Sequence, residues 1–226
     1  MKKIILLYCC IVISLSSFAQ KFGDPTYPIT FGLSGGSNFA FIQVTSEHRQ
    51  EVFTNSEAPF SLGFNADFML NDYFSIRPGI SYMGKGGSMN ATYVDTKIGN
   101  IAVTDDYKLH YFQVQVNAIG HLPLSAGGNI FIGAGPYLAR GLNGVNKQIL
   151  NTADPVALKV NFGNGGDFKP IEYGATGVFG FQAAKGWAIS GNLDWGFNNI
   201  MQTNTTAFDA TQIKTVTFYL CIGQSF

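Results

Sequence analysis

Charge is what this sequence has least of. Asp, Glu, Lys and Arg make up 12% of the 226 residues, against roughly 25% in an ordinary soluble domain. The formal net charge is zero, so there is no basic field to gather nucleic acid. Cysteine is nearly absent. Cys9 and Cys10 lie inside an N-terminal apolar run, and Cys221 is the third of 3. One cysteine beyond that run excludes an intramolecular disulfide and a Cys-rich metal centre. Past the same run, no stretch approaches the ~20 consecutive apolar residues of a membrane-spanning helix. Against these absences stand 20 Phe, 10 Tyr and 27 Gly.

The N-terminal run has its own meaning. "MKKIILLYCCIVISLSSFAQ" opens on Lys2 and Lys3, continues with apolar residues from Ile4 to Ile13, and ends small-x-small at Ser17 and Ala19. This is the three-part pattern of a secretory signal peptide, with cleavage expected between Ala19 and Gln20. A lipoprotein anchor at Cys9 or Cys10 is disfavoured, because Tyr8 stands where a small residue is expected. Taking 19 from 226 leaves 207 residues, and removing Lys2 and Lys3 leaves 12 basic against 14 acidic side chains. Residues 20–28 read as a short periplasmic segment and 29–226 as one domain in the outer membrane.

The domain alternates with period two. In "WAISGNLDWGF", Trp187, Ile189, Leu193, Trp195 and Phe197 share one face, while Ser190, Asn192 and Asp194 share the other. Such alternation marks a β-strand with one apolar face. Seven further segments repeat it: "ITFGLSGGSNFAF", "FSLGFNADFML", "FSIRPGISY", "FQVQVNA", "NIFIGAGPYLA", "IEYGATGVFGFQA" and "KTVTFYLCIGQSF". The connections alternate as well. Short ones are expected at 71–73, 123–128 and 184–186, and long polar ones near 42–58, 85–107, 142–170 and 199–212. Short turns on one side and long loops on the other predict an all-β fold: an eight-stranded antiparallel up-and-down transmembrane β-barrel with short periplasmic turns and long outer loops. Charge falls on the face opposite the apolar one, and aromatics gather toward strand ends, as interface girdles do. Trp187, Trp195, Phe197 and the terminal Phe226 are therefore expected to face lipid or its interface. Phe226, in phase with Leu220 and Ile222, resembles the terminal aromatic read by outer-membrane assembly machinery.

Several segments resemble a known family. "FGLSGGSNFA" is similar to the first strand of the PorT-like outer-membrane β-barrel domain of Bacteroidota, and "FSLGFNADFMLNDYFSIRPGISYMGKGG" to its second hairpin. "NIFIGAGPYLA" and "WAISGNLDWGFNNI" resemble later strands. The resemblance spans Ile29 to Phe226 and implies a small barrel of the porin family in the outer membrane. It implies no secretion role.

The chemistry predicted for the interior is structural. Asp67, Arg77, Glu172 and Asp194 fall on the polar face, where a lone charge is costly and must find a partner or water. Register sharpens one pairing: with Leu70 opposite Phe74 across a turn at 71–73, Asp67 lies opposite Arg77. The three histidines, His48, His110 and His121, form no Ser-His-acid order, and each reads as a surface or interfacial residue. The loop acids and amides Asp154, Asn161, Asn164 and Asp167 match no calcium-loop spacing. No cofactor, metal or catalytic residue is therefore expected, and no enzymatic activity. Three functions compete: a structural or interaction barrel working through its outer loops, a small solute pore, and a soluble exported ligand-binding barrel. The expected partners are outer-membrane lipid and the assembly machinery.

Overall fold

The computed structural model describes residues 29–46, 50–53, 59–95, 99–125, 127–150, 153–163, 165–202 and 210–225. The expected leader and its expected cleavage site at Ala19, the expected periplasmic segment 20–28, His48, Asn164 and Phe226 lie outside the described residues. The elements are β1 (Ile29–Ser46), β2 (Gln50–Phe53), β3 (Phe60–Asn71), β4 (Phe74–Asp95), β5 (Gly99–Pro123), β6 (Asn129–Leu150), β7 (Ala153–Val160), β8 (Ile171–Gln182), β9 (Trp187–Gly196) and β10 (Ala210–Ser225).

Eight of these strands form a ring in the order β1, β3, β4, β5, β6, β8, β9, β10. It closes where β10 pairs with β1 from Gly32↔Ser225 upward, and every pairing is antiparallel. Closure leaves the ring without an open edge. The remaining two strands prolong the wall rather than enter it. β2 pairs with the far end of β1, and β7 with the far end of β6.

Side chains sort by face as the alternation requires. Leu33, Ile132, Phe179, Trp187, Ile189 and Ile222 point outward, each more than half exposed. Asn38, Gln113, Asn117, Thr176 and Thr217 point inward and are buried. A ring with apolar residues outside and polar ones inside inverts the arrangement of a soluble barrel.

Two expectations need correction. The stretches read as long polar loops are largely strand: β1 runs on to Ser46, β4 to Asp95, β5 begins at Gly99, and β6 continues to Leu150. "TYVD" at 92–95 and "GNIAVT" at 99–104 carry no continuous apolar face yet are rich in β-branched residues with a Tyr, which suit an extended chain. Cross-strand pairing from Phe74↔Gly120 to Asp95↔Gly99 carries the hairpin outward without a membrane to bury it. At about 3.3 Å per residue, the 25 residues of β5 far exceed the 9–11 needed to span a bilayer. The wall of β4, β5 and β6 therefore rises well beyond the membrane.

The second correction is local. Asn71, not Leu70, pairs with Phe74, and the register is irregular between Met69 and Asn71. Asn71 Oδ1 accepts the Tyr73 amide hydrogen at 2.9 Å. That side chain imitates a backbone turn and tightens the connection to two residues. Below the turn the expected register holds, with Phe68 opposite Ile76. At the β5–β6 connection, Gly127 and Gly128 take φ of 84° and 88°, a conformation side chains resist.

Candidate functional site

The barrel interior holds three layers. Nearest the short turns, Arg77 Nε donates to Asp67 Oδ1 at 2.6 Å, and its guanidinium lies 4.8 Å from the Phe131 ring centre. Beside this pair, Ser75 Oγ is 2.8 Å from His121 Nε2, and His121 Nδ1 is 3.2 Å from Asn129 Oδ1. Asn129 Nδ2 in turn donates to Gln182 Oε1 at 3.1 Å. The imidazole thus joins the Ser75 hydroxyl to the Asn129 amide.

Serine, imidazole and amide in that order also describe a hydrolytic relay, so the geometry must decide. Ser75 is 1% exposed, and its hydroxyl lies 3.3 Å from the Asp67 carboxylate. A carboxylate beside the nucleophile repels the oxyanion that attack would create, and the buried hydroxyl does not line the opening at the turn end that His121 and Asn129 line. The relay is a strut joining β4, β5, β6 and β8. His121 thus sits inside the barrel rather than at an interface, while His110 stays on the outer face, stacked 5.5 Å from Tyr82.

Above this lies a polar cavity of about 80 Å3, lined in part by Ser61, Asn65, Ser81, Gln115, Asn117 and Ser190. It has room for a few waters.

The next layer is a knot around Lys85. Its Nζ lies 2.7 Å from Glu172 Oε1 and 3.7 Å from Asp194 Oδ2. The Lys85 and Glu172 side chains are completely buried. The ammonium also lies 4.4 Å from the Tyr137 ring centre. Tyr137 donates its hydroxyl hydrogen to Glu172 at 2.7 Å. Gln113 Nε2 donates to Asp194 at 2.9 Å, and the Tyr219 hydroxyl reaches the same carboxylate at 3.4 Å. One ammonium faces two carboxylates, and these neutral donors offset the excess negative charge.

The four interior charges read from the sequence therefore fall into two groups. Asp67 and Arg77 pair near the turns, and Glu172 and Asp194 meet a cation on β4 that the sequence reading missed. Lys85 opens the stretch 85–107 expected as a long polar connection, whereas β4 runs through it to Asp95. Its signal was phase: Ser81, Met83 and Lys85 are every second residue, and Met83 is buried. Of the aromatics, Trp187, Trp195 and Phe197 are all more than half exposed on the outer face.

Above the knot the interior turns apolar. Ile42, Met83, Leu109, Ala139, Val160 and Ile213 are buried together with Phe168 and Ile200, and Phe162 and Met201 pack against them. Phe168 bridges to both Phe162 and Met201, so the segments after β7 and β9 fold inward over the opening. Gly141 makes room for this, since a Cβ there would collide with the Phe162 ring. Among the described residues, no group of three or more His, Cys, Asp or Glu is placed to hold a metal.

Solved structures of small outer-membrane barrels are similar at low identity. Ail, the attachment invasion locus protein of Yersinia pestis, shares 10% identity over 87% of this chain and 98% of its own, with a TM-score of 0.41. Neisserial surface protein A shares 11% over 87% and 97%, with a TM-score of 0.43. OprG from Pseudomonas aeruginosa shares 10% over 88% and 97%, also at 0.43. No curated protein matches the sequence. The model of the outer membrane protein beta-barrel domain family matches residues 18–202. With a closed antiparallel ring, apolar outside and polar within, this chain belongs to the outer membrane protein beta-barrel domain family.

Proposed function

We propose that this outer-membrane barrel is closed, non-enzymatic, and acts as a structural or interaction protein through the wall it raises beyond the membrane. The observation that carries the reading is the Lys85–Glu172–Asp194 knot beneath the Phe168 and Ile200 cap. An eight-stranded ring encloses little more than its own side chains, and here they are cross-linked by charge below and packed by apolar groups above. In this reading the outward apolar face meets lipid, and the leader is removed after Ala19. The final strand, ending at Phe226, is what the assembly machinery reads. The motifs quoted above favour the PorT-like branch of the family. The work of the protein then falls to the outer ends of β4, β5 and β6, with β7, the parts that rise beyond the membrane.

The test is a pull-down from detergent-solubilised outer membranes with the full chain and with a chain whose β6–β7 hairpin is cut back to the membrane. Partners held by the full chain and lost by the shortened one support the reading. Identical recovery by both, with folded barrel confirmed, assigns the binding elsewhere.

A further inference from the structure

Above the apolar belt, the outward face of β5, β6 and β7 becomes cationic. Arg140, exposed, lies in a row between Phe112 and Ile171. Past the irregularity at His110 and Tyr111, Val145 lies between Lys108 and Lys159. Two residues on, Lys147 lies between Asp106 and Ala157. Paired residues share a face, as do residues two apart on one strand. Lys108, Lys147 and Lys159 therefore project together, with neighbouring Cβ atoms about 5–8 Å apart.

Among the described residues of these rows Asp106 is acidic, directly across from Lys147, and it accepts a hydrogen bond from Ser88 at 3.1 Å, so Arg140, Lys108, Lys147 and Lys159 leave the face net cationic. Asp105 turns to the opposite face, where Asn146 and Gln148 donate to it at 2.8 and 3.1 Å. Apolar side chains run between the cations, with Leu142, Val145 and Ile149 all exposed. By strand rise and tilt, the Val145 row stands about 10 Å above Arg140. With the apolar belt as the lipid-facing band, Arg140 lies at its outer edge and the Val145 row beyond it, on the headgroup side.

We propose that this face binds the phosphorylated headgroup of the outer-leaflet glycolipid. Arg140 offers a planar fork for a phosphate, and Lys147 and Lys159 serve as mobile point charges. Below, the lipid's acyl chains continue over Phe112, Leu138 and Ile132, which are exposed on the same wall. Continuity with that belt selects an amphiphile over a soluble phosphate. The inference rests on the outward face meeting lipid, and holds whether or not the interior conducts.

The test uses the full mature chain folded in neutral detergent, with native mass spectrometry reading retained lipid. The probes are bisphosphorylated lipid A, its dephosphorylated form and inorganic phosphate. Bisphosphorylated lipid A is expected to be retained at least tenfold better than the dephosphorylated form. Each of Arg140→Gln, Lys147→Gln and Lys159→Gln is expected to weaken it about fivefold. Exchanging Lys for Arg and Arg for Lys at the same positions should preserve most of the retention, and heat-modifiable mobility verifies folding in every variant. Equal retention of the two lipids, an undiminished triple Gln variant, or displacement by equimolar inorganic phosphate would each overturn the site. A mature chain that stays soluble without detergent would instead remove the lipid reading on which the site rests.

Discussion

Arg77 and Asp67 meet at 2.6 Å across β3 and β4, on strands whose register passes through Phe68↔Ile76. Both side chains are largely buried, at 13% and 8% exposure, so neither is well solvated if its partner leaves. Asp67→Ala and Arg77→Ala should each destabilise the barrel by roughly 3–5 kcal/mol. The double variant should lose less than the sum, because it strands no charge. Urea unfolding of the four proteins in detergent, followed by heat-modifiable mobility, measures this. Additive losses would show that the pair is not coupled.

Lys85 is predicted to be the most sensitive interior position. Lys85→Met leaves Glu172 and Asp194 buried together with no cation, at a cost on the order of 3–5 kcal/mol. Glu172→Gln leaves Lys85 its Asp194 partner 3.7 Å away and should cost less. Adding Glu172→Gln to Lys85→Met should restore part of the lost stability. The same unfolding series ranks the three, and a Glu172 variant weaker than the Lys85 variant would contradict the assignment of charges.

Neighbouring residues on β9 test the faces. Leu193 is exposed outward and Asn192 is buried inward. Leu193→Arg should cost about 2–4 kcal/mol if that position lies at the membrane midplane, whereas Asn192→Arg is limited by packing and pairing inside. In the parent chain, lipid-borne quenchers should reach Trp187 and Trp195. Quenching of both tryptophans by aqueous agents alone would invert the faces.

How much of this was legible beforehand follows from what sets each feature. Faces were readable wherever one side is apolar, as at Leu193 and Asn192, because a pleated strand has no other way to sort them. The Asp67–Arg77 pairing was readable because only two residues separate β3 from β4, and a short turn leaves little freedom of register. Lys85 was not, since the glycines around it remove the apolar face that would have shown the strand continuing. Nor was the His121 relay, whose members Ser75, His121, Asn129 and Gln182 come from four strands. Such a grouping depends on how the ring closes, which local pattern does not encode. The cap of Phe162, Phe168 and Ile200 was hidden for the same reason, as its residues lie in segments that read as polar loop.

Single-channel recording in planar bilayers bears most directly on the closed interior. The folded full chain should give no conductance steps above those of the bare bilayer, because the Lys85 knot and the Phe168 cap stand in series across the opening. Reproducible steps from folded protein, scaling with its amount and surviving removal of aggregates, would contradict a closed barrel and make the chain a small pore.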